Sequence, residues 1–116
     1  MYNFEKLDVW QKTREFLKKI YAITSKYPPE EKFCLTLHTR ECTISILSNI
    51  AEGGSRKSKV ESKRFIEVAL GSLYETVTRL YVALDNNYLG KDIFNNIYTE
   101  SETIAKMLSG LSSSLK

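Results

Sequence analysis

One histidine occurs in the chain, His38, with a cysteine four residues to either side, Cys34 and Cys42. Imidazole and thiolate are the ligands that hold zinc and other borderline or soft metals. On a helix, spacings of i−4, i and i+4 bring all three to one side. The two cysteines would then lie roughly 12 Å apart along the axis, too far for both to reach one ion. One i,i+4 pair could supply two ligands, with the rest coming from elsewhere in the fold. There is no second histidine and no Glu-x-x-His pair, so the carboxylate-bridged di-iron pattern is absent. His38 is therefore read as a partly buried polar side chain. A disulfide tolerates at most about 7 Å between Cα atoms, so the cysteines are expected to be reduced thiols, as in a cytosolic protein. Gly53-Gly54-Ser55 has neither the spacing of a phosphate loop nor a preceding strand. No Ser-His-Asp set assembles, and Glu30-Glu31 at a helix start are ordinary partners of the helix dipole. The expectation is a protein with no catalytic residues, no metal and no cofactor.

The residues that point most clearly to a ligand are Arg56-Lys57-Ser58-Lys59-Val60-Glu61-Ser62-Lys63-Arg64, five basic and one acidic. They fall on a turn and the first turns of the following helix. Cations at a helix N-terminus oppose the macrodipole, so this placement costs stability. The free N–H groups of the same helix end attract anions. Arg56, Lys57, Lys59, Lys63 and Arg64 are thus candidate contacts to nucleic-acid phosphates. The alternative is a solvated basic turn that aids solubility. A net charge of +3 alone is a weak argument for a polyanionic partner. Lys12, Lys18, Lys19 and Lys26 decorate the first helix, with Lys12 and Lys19 on one face, and read as solvated surface.

The elements that must position these residues are helices. Five glycines and two prolines in 116 residues disfavour a many-turned β fold. Asp8-Val9-Trp10-Gln11 has capping-box spacing and opens a first helix, with apolar residues at Val9, Trp10, Phe16, Leu17, Ile20 and Tyr21. That helix ends before Pro28, because the residue preceding proline avoids the α region. Pro28-Pro29-Glu30-Glu31 opens a second helix running to about Glu52, where Gly53-Gly54 supplies a left-handed residue to end it. Ser58-Lys59-Val60-Glu61 is a second capping box. The third helix continues to about Asn86 on a stripe of Phe65, Ala69, Leu73, Leu80 and Leu84. Asn86–Gly90 is a turn. The fourth helix carries Ile93, Ile97, Ile104, Leu108, Leu111 and Leu115, and frays at Ser112-Ser113-Ser114. Four amphipathic helices with short connections predict an all-α fold, an antiparallel up-down four-helix bundle, as a single domain over residues 1–116. No run of about 18 apolar residues exists, so no membrane span is expected. The first residues do not resemble a secretory signal, and the cytoplasm is the expected location.

Two helices carry more apolar surface than one bundle needs. The second has a core stripe at Leu35, Cys42, Ile46 and Ile50 and another at Leu37, Ile44, Leu47 and Ala51. The third has a second stripe at Leu70, Tyr74, Val77 and Tyr81. Contiguous exposed apolar stripes mark contact with a partner. Leu37, Ile44, Leu47, Leu70, Tyr74, Val77 and Tyr81 are accordingly candidates for a subunit interface. The physics permits a head-to-tail ring without giving its number.

Ser45-Ile46-Leu47-Ser48-Asn49-Ile50-Ala51-Glu52-Gly53, followed by Ser58, Glu61, Phe65 and Ala69-Leu70-Gly71-Ser72-Leu73-Tyr74-Glu75, resembles a family of bacterial four-helix-bundle proteins. Its founding members are encoded in intervening sequences of large-subunit ribosomal RNA genes. Relatives include the accessory variability protein of diversity-generating retroelements. The opening Phe4-Glu5-Lys6-Leu7-Asp8-Val9-Trp10-Gln11 also resembles the family's start, so the likeness covers nearly the whole chain. Two positions depart from it: Leu47 stands where proline is frequent, and His38 where glutamine is frequent. The resemblance implies a homopentamer with a basic surface that binds nucleic acid, and, as in the retroelement relatives, a reverse transcriptase as partner. It also places Asn49, Glu52 and Ser72 near the core. Asn49 or Glu52 is then expected to bond near the turn, with Arg56 or the backbone around Ser58. Gly71 is expected to permit a close helix approach.

Overall fold

The computed structural model describes residues 1–115. A 3₁₀ turn at Asn3–Lys6 leads into α1, Asp8–Thr24. Leu7 occupies the N-cap position with extended backbone, and no side chain caps the helix. The capping box read at Asp8 is not formed, because Asp8 is already helical. Its charge still complements the dipole. Gln11 Nε2 instead donates to the Glu5 carbonyl at 2.8 Å and ties the 3₁₀ turn to the helix. α1 buries Val9, Thr13, Phe16, Ile20 and Thr24. The two threonines are tolerated there because their hydroxyls donate to the Val9 and Ile20 carbonyls, at 2.7 and 2.8 Å.

The second helix begins later than the proline pair suggested. Pro29–Glu31 forms only a 3₁₀ turn, and α2 spans Leu35–Ser55. Cys34, with φ −120° and ψ −102°, lies outside the helical region and separates the two. The Glu31 carboxylate closes the gap by accepting from the Leu35 N–H at 3.4 Å and from the Tyr88 hydroxyl at 3.0 Å. α2 also runs past Gly53 and Gly54, both of which are helical, and no glycine has a positive φ. The pair does not end the helix. Gly53 is there for close approach: a Cβ on it would meet Ile66 Cδ1 at 3.0 Å and the Ser62 carbonyl oxygen at 3.1 Å.

α3, Lys59–Asp85, starts as expected, with Ser58 Oγ accepting from the Glu61 N–H at 3.4 Å. The turn after it uses Asn87 at φ 61°, a conformation asparagine tolerates. α4 then runs Lys91–Ser114, so the serine triplet expected to fray is helical.

Among the described residues each helix packs on its sequence neighbours, α1 and α4 close the square, and the backbones of neither diagonal pair come close. With short connections this is the antiparallel up-down four-helix bundle, 43 × 24 × 23 Å in extent. Phe16, Ile20, Ile46, Ile50, Ile66, Leu73, Leu80, Ile97, Ile104 and Leu108 form its core. Two expectations shift by one residue: Ile93 is exposed and Phe94 buried in its place, while Ile66 is buried and Phe65 only half-buried. The α2–α3 seam is made of small hydroxyl residues. Ser45 Oγ and Ser72 Oγ lie 2.9 Å apart, Thr43 Oγ1 and Thr76 Oγ1 3.3 Å apart, and Thr76 also donates to the Ser72 carbonyl. Each of these seam hydroxyls is hydrogen-bonded, which lets α2 and α3 approach closely.

Candidate nucleic-acid interface

The α2–α3 turn places the basic residues at one end of the bundle, beside the N-terminal turn and the C-terminal end of α4. Arg56, Lys57 and Lys59 line a recess of about 240 Å³ there, with Gly53, Gly54 and Ser62 beside them. Its floor is apolar: Leu7, Ile66, Leu111 and Leu115. Lys63 and Arg64 do not line it, so the structure brings three of the five cations together. One helical turn separates Lys59 from Lys63, and Arg64 is rotated a further 100° or so around the axis. Lys63 is half-buried, whereas Lys57, Lys59 and Arg64 are exposed.

The three cations of the recess differ in freedom. Arg56 is paired with the Glu52 carboxylate one turn back, and its guanidinium sits 5.0 Å over the Phe65 ring. Both contacts orient it, and the first offsets its charge. Lys57 and Lys59 make no ion pair with a described residue. The N–H groups of Lys59 and Val60, in the first turn of α3, have no acceptor among the described residues, since the Ser58 cap serves Glu61. Two lysines and a held arginine line the recess and the start of α3 adjoins it, so a phosphate oxygen there can accept from several directions. The expectation for Glu52 holds in its Arg56 contact. Glu52 is nonetheless exposed, and Asn49 bonds within α2, to the Ser45 carbonyl at 2.8 Å and Ser45 Oγ at 3.1 Å.

Elsewhere the expected placements divide. His38 is exposed, not partly buried, because it sits on the solvent side of α2. Cys34 is exposed, while Cys42 is buried with its thiol donating to the Thr39 carbonyl and its sulfur 3.2 Å from Thr76 Oγ1. The three do not converge, and the described residues contain no cluster of three metal-ligating side chains. Gly71 does not serve a close approach within the chain, since a Cβ on it would meet nothing within 4 Å.

The surplus apolar residues occupy two opposite sides. Arg40 reaches from α2 to α1, where Nε donates to Thr24 Oγ1 at 2.8 Å and the guanidinium stacks 4.3 Å from the Tyr21 ring centroid. Leu37, Ile44 and Leu47 stand three, four and seven residues from Arg40 and share that flank. Tyr74 and Val77 line a recess with Tyr98 and Ala105 on the α3–α4 side. Tyr81 lies there too, 4.8 Å from the Phe94 ring and 6.2 Å from that of Tyr98. Leu37, Ile44, Tyr74 and Tyr81 are 40, 39, 58 and 45% exposed, while Leu47, Leu70 and Val77 are half-buried. The Arg40 clasp and the Phe65 stack were not foreseen. Their partners are distant or loosely spaced in sequence, and no local pattern announces them.

Residues 5–110 match the family described as 23S rRNA-intervening sequence protein. Among solved structures, a protein of unknown function from Bacteroides thetaiotaomicron, from the S23 ribosomal protein family, superposes with a TM-score of 0.83. It is 24% identical in sequence and the match covers 90% of this chain and 95% of that one, a likeness of fold. No curated protein matches the chain.

Proposed function

The chain belongs to the 23S rRNA-intervening sequence protein family, and we propose that it is a non-enzymatic, oligomeric adaptor that holds the backbone of RNA or DNA at the basic end of its bundle. The observation that carries this reading is the convergence of Arg56, Lys57 and Lys59 on one recess at the N-terminus of α3. Phosphates bound there would gain from charge and from free N–H groups together. Apolar stripes on opposite sides of the bundle support a head-to-tail ring, and the resemblance makes five the expected number of chains. A ring would present the basic end repeatedly on one rim, adding avidity without new contacts.

The test is the salt dependence of polynucleotide binding. Each neutralised phosphate adds about 0.9 to the log–log slope on duplex DNA. Changing Lys57 and Lys59 to Gln should weaken binding across all sequences and flatten that slope. Changing Lys12 and Lys18 on α1 should leave both unchanged. Equal affinity of the Lys57/Lys59 variant at fixed low salt would remove the reading. The pairing of Arg56 with Glu52 favours one alternative, a protein-binding scaffold without direct nucleic-acid contact. A reverse transcriptase is the partner that the resemblance to retroelement accessory proteins suggests. Absence of any polynucleotide binding by the native chain would select it.

A further inference from the structure

The seam between α1 and α4 opens into a groove of about 330 Å³ at the end of the bundle away from the basic turn. This is at the small end of the range for organic ligands, about 300–1,000 Å³. Its wall is apolar, with Ala22 and Ile23 from α1, Leu89 from the turn, and Ile93 and Ile97 from α4. Ile93 is 49% exposed, a large aliphatic side chain left in water by its own fold. The groove belongs to neither of the two sides that carry the surplus apolar stripes.

Its two ends differ. Toward the middle of the bundle, Lys19 Nζ reaches across to Glu100 Oε2 at 2.6 Å, and this pair is the only ion pair between helices among the described residues. The bridge crosses the seam and bounds the groove at this end. At the other end are Lys26, with no ion-pair partner among the described residues, and Gly90, the N-cap of α4. No side chain caps α4, and a Cβ on Gly90 would meet nothing within 4 Å, so the backbone there is open to approach. One wall also carries the Tyr88 ring. It packs 5.8 Å from that of Tyr27, whose buried hydroxyl has no hydrogen-bond partner among the described residues. From Gly90 to Glu100 α4 advances about 15 Å, room for a medium-length alkyl chain.

We propose that this groove binds a small amphipathic carboxylate, its apolar chain along Ile23, Ile93 and Ile97 and its carboxylate beside Lys26 at the start of α4. The charge is complementary: Lys19 is neutralised by Glu100, so the net positive charge of the lining rests on Lys26. The helix dipole adds to it, and the exposed Asp92 in the same first turn works against it.

The probe is decanoate, titrated into the full chain by calorimetry, with decanol as the uncharged counterpart. One saturable site per chain is expected, with a Kd below ~1 mM. Decanol should bind about tenfold more weakly, as loss of a charge-assisted contact predicts. Lys26→Gln should bring decanoate down to the level of decanol, and Ile93→Glu should abolish both. Both positions are exposed, and circular dichroism would confirm that the variants remain folded. Non-saturating uptake, decanoate binding untouched by Ile93→Glu, or equal affinity for decanol would each overturn the proposal.

Discussion

The Tyr27 hydroxyl is buried without a partner among the described residues, and burial pushes its pKa up to about 12 from an ordinary 10.0. An orphaned buried hydroxyl costs stability, so Tyr27→Phe should stabilise the fold by roughly 1 kcal/mol in denaturant melts near neutral pH. The pH dependence has a definite sign. The unfolded chain releases this proton near pH 10 while the folded chain keeps it to about 12, so the unfolded state binds fewer protons in between. Stability should fall as pH rises through that window, and fall less in the Phe variant. Tyr88, raised by its bond to Glu31, acts in the same direction and remains in both proteins. The glycines make a second pair of expectations. Gly53→Ala should destabilise by about 1–3 kcal/mol, because its new methyl meets the Ser62 backbone as well as Ile66. Gly71→Ala should stabilise by up to about 1 kcal/mol through helix propensity alone, since the space is open. Sequence assigned these two residues the wrong way round, a stop signal and a close approach. A glycine's neighbours across a helix interface leave no mark on its own segment.

At the scale of elements, the seam between α2 and α3 is joined by hydroxyl pairs. Ser45 and Ser72 bond each other. Removing either should cost about 1 kcal/mol by leaving the other without that partner. The Ser45→Ala/Ser72→Ala double variant should then cost less than the sum, a coupling that urea titrations of the three variants would measure. Additive costs would mean that the pair contributes nothing as a pair. The helices themselves were legible because apolar periodicity is a local property, and so was the Ser58 cap. Where α2 begins was not. Two prolines and two acids look like a helix start. Here they form a 3₁₀ turn, because Glu31 is drawn to Tyr88 and to the Leu35 N–H across the end of the bundle.

For the whole molecule, the two apolar sides predict an association that either side alone can break. Ile44→Glu lies on the α1–α2 side and Tyr74→Glu on the α3–α4 side, both at exposed positions that the folded chain tolerates. Each variant alone should dissociate a head-to-tail ring in light scattering coupled to gel filtration. A mixture of the two should recover one contact, since each retains the side that the other lacks. A native chain that runs as a monomer at micromolar concentration would dispose of the ring and of the avidity attached to it. By itself the sequence determined the number and kind of helices, most residues of the core and the basic turn. Each of these follows from side-chain type at a fixed spacing along one segment. Only the tertiary structure decided on which sides the surplus apolar residues lie, that Arg56 is held by Glu52 and Phe65 while Lys57 and Lys59 pair with no described carboxylate, and that α1 and α4 part to leave a groove. Those features depend on which helix stands beside which and at what rotation, and that is settled by packing between segments far apart in the chain.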